Sequence, residues 1–142
     1  MGLMQNRIVV VTGASRGAGK GIALALGAMG DTVYVSGRTK QEGDAPLPGT
    51  VYATAEEVSR RGGVGIPVVC DHADDEQVKA LFERVAEEQG GLDILVNNAI
   101  CLPDALMEKG PFWEKPLSIQ EILDVGLRSS YVASYYAAPL LL

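Results

Sequence analysis

Thr12-Gly13-Ala14-Ser15-Arg16-Gly17-Ala18-Gly19 follows the apolar run Ile8-Val9-Val10-Val11 directly and leads straight into Lys20-Gly21-Ile22-Ala23-Leu24-Ala25-Leu26. The run before it has the length and β-branching of a strand buried on both faces, and the stretch after it has helical spacing with many good helix formers. Between a strand and a helix, glycines let the backbone turn sharply and approach a diphosphate, while free N–H groups at the helix start favour negative charge. The stretch therefore reads as a dinucleotide clamp. A Walker phosphate loop needs Gly, four residues, then Gly-Lys and Ser or Thr. Gly19-Lys20 fits, but Ala14 leads and Gly21 closes, so that pattern fails at two positions. A glycine-rich turn without a ligand is the bland alternative, and glycines alone do not exclude it.

Downstream, strands and helices alternate. Thr32-Val33-Tyr34-Val35-Ser36 is a β-branched strand entered through Gly30-Asp31 and ending at Gly37-Arg38. A Gly- and Pro-rich loop from Lys40 to Gly49 follows, longer than most such connections and so expected on the surface or beside a ligand. Thr54-Ala55-Glu56-Glu57 has capping-box spacing and predicts a short helix through Val58 to Arg61, stopped by Gly62-Gly63. Gly65 to Cys70 is the third strand, with Pro67 tolerable on an edge. Asp74-Asp75-Glu76-Gln77 caps a helix whose apolar residues Val78, Leu81, Phe82 and Val85 recur at three and four, ending at Gly90-Gly91. Asp93 to Val96 is the fourth strand. Four loop residues, Pro103, Gly110, Pro111 and Pro116, forbid a long regular element between Asn97 and Leu117. Ser118-Ile119-Gln120-Glu121 is a further capping box, predicted to open a helix that runs to about Ala138, before Pro139.

The βαβαβαβα alternation predicts an α/β fold, a Rossmann-like doubly wound parallel sheet with strand order 3-2-1-4. Ligand then lies at the carboxyl ends of strands one and four, where crossovers go to opposite sides, and Gly13 to Gly19 and Asn97 to Ala99 both fall there.

Three motifs in order carry a resemblance: Thr12-Gly13-x-x-x-Gly17-x-Gly19 after the first strand, Asp71 after the third, and Asn97-Asn98-Ala99 after Leu92-Asp93-Ile94-Leu95-Val96. Together the chain resembles the short-chain dehydrogenase/reductase superfamily from Arg7 to about Ala138. Within it, Phe112-Trp113-Glu114-Lys115-Pro116 followed by Val125-Gly126-Leu127-Arg128 is similar to the dehydrogenase/reductase member 1 type, and the loop Gly43 to Thr50 looks like those of hydroxysteroid dehydrogenase-like members. The resemblance implies an oxidoreductase of the carbonyl reductase or alcohol dehydrogenase type acting on a small-molecule carbonyl or alcohol. It further implies that Asp71 contacts adenine through its carboxylate while His72 adds backbone, and that Asn98 and Ala99 line the ribose next to nicotinamide. The family usually continues the last motif with glycine, where this chain has Ile100.

Gly13, Gly17 and Gly19 are assigned to the turn, the diphosphate approach and helix packing, with Ser15 able to donate to phosphate. An NAD site usually presents a carboxylate at the end of strand two. No acid stands there. Arg38 follows Gly37, and Arg16 lies inside the glycine loop, so two guanidinium groups are available to a 2′-phosphate, which favours NADP over NAD. Asn97-Asn98 is alternatively plain turn chemistry, and each arginine alternatively solvated surface charge. Phe112 and Trp113 are candidates for a substrate wall, with packing of the long loop onto the sheet preferred; Tyr131, Tyr135 and Tyr136 are read as core or subunit contacts, consistent with a homo-oligomer through the last helix.

By resemblance, catalysis rests on a Tyr-x-x-x-Lys pair, a serine and often an asparagine. Four residues beyond the five tyrosines stand Arg38, Glu56, Tyr135, Pro139 and Leu140, and the asparagine position is Gly126, so no catalytic residue is assigned. Residues 1–142 are accordingly expected to be a single dinucleotide-binding domain truncated before the later strands, with strand four left as an apolar edge. The alternative is a catalytically inactive nucleotide-binding sensor or scaffold module.

At 142 residues, 47% hydrophobic and 21% charged, the composition suits one globular domain. A net charge of −6 without a basic stripe argues against nucleic acid or an anionic membrane as partner. Met1 to Arg7 lacks the apolar core of a secretion signal, and no run approaches the roughly 18 apolar residues that span a bilayer, so a cytoplasmic location is expected. Two cysteines without a signal read as reduced thiols. Cys70-Asp71-His72-x-Asp74 is a poor tetrahedral set, so no metal is assigned and His72 is placed in a loop beside the nucleotide.

Overall fold

The computed structural model describes residues 6–142; the reading of Met1 to Gln5 lies outside them. Four parallel strands form one sheet in the order β3-β2-β1-β4: β1 (Ile8–Val11), β2 (Thr32–Gly37), β3 (Val64–Val69) and β4 (Ile94–Val96). Register is set by the apolar runs, with Val10 opposite Tyr34 and Leu95, and Pro67 opposite Val35 on the edge strand β3, where a lost N–H is tolerated. The central β1 is buried on both faces. Val9 and Val11 pack with Val33, Val35 and Val58 under α1 (Gly17–Ala28) and α2 (Val51–Arg60), whereas Val10 and Tyr34 pack with Leu81, Phe82 and Val132 under α3 (Asp75–Gln89) and α4 (Ser129–Leu141). The strand order and doubly wound architecture agree with the sequence reading.

Asp74 caps α3 as expected, accepting from the N–H groups of Glu76 and Gln77, and Gly90 ends it in the left-handed region at φ 76°. Two helix starts differ. Helix α2 begins at Val51, not after a cap at Thr54, because Thr50 is the N-cap and its hydroxyl accepts from Ala53 N–H at 3.0 Å. Thr54 is instead buried in the helix, donating to the carbonyl of Ser15 at 3.3 Å.

No continuous helix opens at Ser118. Leu117–Gln120 is a short 3-10 turn, and the chain breaks helical geometry at Val125 and Gly126 before α4 begins. Gly126 sits at φ 155°, ψ −70°, open only to glycine, and Val125 turns its carbonyl to Cys101 N–H at 2.8 Å. Pro139 lies inside α4 rather than beyond it: Leu92 N–H donates to Leu140 C=O at 3.0 Å, and buried Ala137 anchors the same turn, so tertiary contacts carry the helix past the proline. No helix among the described residues is long and apolar enough to cross a membrane.

Candidate nucleotide-binding site

The glycine-rich loop is pinned between the tips of β4 and β2. Thr12 N–H donates to Val96 C=O at 3.1 Å, and Ala14 N–H to Ser36 C=O at 2.9 Å. The Thr12 hydroxyl accepts from the N–H groups of both Asn98 and Ala99 at 3.0 Å, and the Asn98 amide donates to the carbonyls of Thr12 (3.1 Å) and Gly13 (2.9 Å). This contact brings the two motifs together. A Cβ on Gly13, itself at φ 65°, would stand 2.7 Å from Ala99 Cα, so only glycine admits the approach. Gly19 is buried directly against the Asn98 amide and the Gly13 carbonyl.

Gly17 shows the opposite environment. Its φ is 58°, yet a Cβ there would meet no atom within 4 Å. Arg16 holds the N-cap position of α1 without capping it, and the first turn carries no acidic side chain. The start of α1 is thus an uncapped, uncompensated positive helix end with open space beside Gly17, an arrangement suited to an anion.

At the end of β2, Gly37 leaves room for Ser15, whose Oγ would lie 2.6 Å from a Cβ there. Ser15 itself is buried. Arg38 is exposed and forms no ion pair or side-chain hydrogen bond among the described residues. Arg16 is engaged: Nε donates to Pro48 C=O at 3.1 Å, and Nη2 to Thr39 Oγ1 at 2.7 Å and Gly49 C=O at 3.2 Å. It fastens the 39–50 loop onto the glycine loop.

After β3, Asp71 N–H donates to Gln77 Oε1 at 2.8 Å, and the Asp71 carboxylate accepts from Ala73 N–H at 2.9 Å. His72 lies in the turn between β3 and α3, as expected, but its side chain is buried, with Nε2 2.7 Å from Ser36 Oγ. Burial lowers its pKa to about 4, against a small opposing pull from Asp71, so the ring is neutral at pH 7. Burial also pushes the Cys70 thiol up to about 12, with Asp71 and Asp74 adding to the shift.

A family model described as short chain dehydrogenase matches residues 7–142. The chain belongs to the short chain dehydrogenase family. As a member of this family of oxidoreductases it is 46% identical to mouse dehydrogenase/reductase SDR family member 1 over 97% of its own length. It is 38% identical to bovine hydroxysteroid dehydrogenase-like protein 2 over 94%. It spans 43% of the first relative and 31% of the second. A crystal structure of a short chain dehydrogenase from Mycobacterium thermoresistibile superposes with a TM-score of 0.85 at 31% identity, covering 97% of this chain and 48% of that one.

On this short chain dehydrogenase framework, Gly13 to Gly19 follow β1, Arg38 follows β2, Asp71 follows β3, and Asn98 and Ala99 follow β4, so all nine sequence-assigned positions come after the carboxyl ends of the parallel strands. The hydroxyl contact of Thr12 with Asn98 and Ala99, and the Ser36–His72 pair, were not read from the sequence, where Thr12 figures only as part of the glycine motif. The β2–β3 register, which sets Gly37 opposite Val69, is the signal that would have found the pair. Phe112 and Trp113 do not pack the long loop onto the sheet; they are exposed and meet edge to face, ring centres 5.8 Å apart. Tyr131 and Tyr135 are exposed on α4, while Tyr136 packs against the core.

Proposed function

We propose that the chain is the cofactor-binding portion of an NADP-dependent oxidoreductase that acts on a small-molecule carbonyl or alcohol. The observation that carries this reading is the open, uncapped start of α1 in front of Gly17, with an unpaired arginine rather than a carboxylate at the end of β2. The α1 N–H groups hold the diphosphate. Arg38 takes the 2′-phosphate through charge-assisted hydrogen bonds, and Arg16 reaches it only by giving up part of its hold on Thr39 and Gly49. Asp71 meets the adenine, and Asn98 and Ala99 stand beside the second ribose. When bound, the nicotinamide ring supplies hydride exchange with a carbonyl or alcohol carbon. The exposed Tyr131 and Tyr135 face of α4 supports pairing with a second copy in the whole protein.

The test is an equilibrium titration with NADPH and NADH, followed by nicotinamide fluorescence. Saturable binding with NADPH the tighter ligand is expected. No saturation with either coenzyme refutes the reading.

A further inference from the structure

Ser36 and His72 form a buried polar contact to which no role in the cofactor site has yet been given. Ser36 is fully buried one residue before the end of β2, and His72 is 5% exposed three residues beyond the end of β3. Their Oγ and Nε2 atoms lie 2.7 Å apart. The other ring nitrogen, Nδ1, is the one buried side-chain nitrogen or oxygen among the described residues that has no hydrogen-bond partner. In either tautomer one ring nitrogen is left unmet: as a bare acceptor if Nε2 carries the proton, as an unused donor if Nδ1 does. Valine or leucine would fill this position without that cost. The contact therefore needs a reason beyond core packing.

Its neighbours supply one. Ser36 C=O accepts from Ala14 in the glycine loop, and two residues on stands Arg38. Asp71 precedes His72 directly, held at its N–H by Gln77 and at its carboxylate by Ala73. The imidazole is thus a side-chain tie between the strand end that presents the 2′-phosphate arginine and the loop that presents the adenine carboxylate. We propose that His72 is a positioning residue that couples adenine recognition at Asp71 to 2′-phosphate recognition at Arg38, acting through Ser36 and touching neither group itself. This rests on the nucleotide reading above.

The experiment measures dissociation constants of the chain for NADPH and NADH in wild type, His72→Leu, His72→Gln and Ser36→Ala, and in His72→Leu combined with Arg38→Asp. Cutting the tie by His72→Leu or Ser36→Ala is expected to weaken NADPH about tenfold and NADH about threefold or less, the scale of a displaced charge-assisted contact. His72→Gln, whose amide reaches the Nε2 position, restores NADPH binding to within about twofold. In the Arg38→Asp background, His72→Leu costs NADPH no more than about threefold, because the contact it positions is already gone. Ser36→Ala keeps the test alive if His72→Leu does not fold. Equal losses for both coenzymes, or none, in a wild type that binds them overturn the coupling alone. A wild-type chain that binds neither overturns the nucleotide reading together with it.

Discussion

Acidification from pH 7.5 to 5 should destabilise this chain through one group, His72. It is the only histidine in the sequence, so no other imidazole titrates alongside it. Its ordinary pKa of 6.5 falls to about 4 in the folded chain because burial disfavours the charged ring. Between these values the unfolded chain binds a proton that the folded chain refuses, so stability falls as pH falls. Full titration corresponds to about 3 kcal/mol, of which about 2 kcal/mol is lost by about pH 5. The ring meets Ser36 from β2 and stands next in the chain to Asp71, whose charge opposes the shift. The carboxylates of Asp44, Glu57 and Asp75 are held below their usual range, chiefly by hydrogen bonds from Lys40 N–H, Arg61 and Arg128 respectively. Their stabilisation is fully present above the ordinary carboxylate values of 3.8 to 4.5 and is lost only as pH falls below them, beneath the pH 7.5 to 5 interval of the test. Urea unfolding followed by far-ultraviolet circular dichroism is the assay, because the only tryptophan, Trp113, is 74% exposed and reports poorly on the core. His72→Gln should flatten the profile between pH 7.5 and 5. Parallel decline of wild type and variant would show that the ring is not the group responsible.

Three further outcomes follow from the site and the kink. Arg38→Asp should weaken NADPH by about tenfold or more while leaving NADH nearly unchanged, since a charge-assisted contact becomes a repulsion; paired titrations with equal losses count against the assigned role. Gly17→Val should abolish binding of both coenzymes, because its side chain fills the space in front of α1 and the φ of 58° strains any L-residue by about 1 kcal/mol; unchanged affinities would place the diphosphate elsewhere. Gly126→Asn should lower the urea midpoint, since φ 155°, ψ −70° is a glycine conformation and strain of about 1–3 kcal/mol attends other residues there; a midpoint equal to wild type would mean that the kink is not held by Cys101 N–H.

The sheet was legible because each strand is a short, largely apolar run that gives way to a small or polar residue, Thr12, Arg38, Asp71 or Asn97, within two positions of its end, and because the crossover rule leaves one strand order for a βαβ alternation that reverses after β3. Asp74 was legible for a local reason: an N-cap bonds to N–H groups two and three residues on. Thr54 shows where local reading stops. Its spacing to Glu57 satisfies a capping box, but Thr50 starts the helix first, and the Thr54 hydroxyl is claimed by Ser15, 39 residues away. The break at Gly126 has the same origin, since its cause is an N–H at Cys101 that helical periodicity cannot register. The Ser36–His72 tie was out of reach until register was known.

Those long-range contacts also account for the direction in which the glycine loop faces. Thr12 and Gly13 turn their carbonyls toward the Asn98 amide, and the Thr12 hydroxyl takes the N–H groups of Asn98 and Ala99. Ala14 N–H is spent on β2. With carbonyls drawn to the β4 side, the N–H groups that open α1 remain the uncompensated polar groups of the turn, and Gly17 keeps the space before them clear. The Asn98 side chain thus contributes to an anion site without touching the anion: removing its amide releases two carbonyls that would compete for the same positive helix end. On that argument Asn98→Ala weakens NADPH and NADH by the same factor, unlike Arg38→Asp, which separates them.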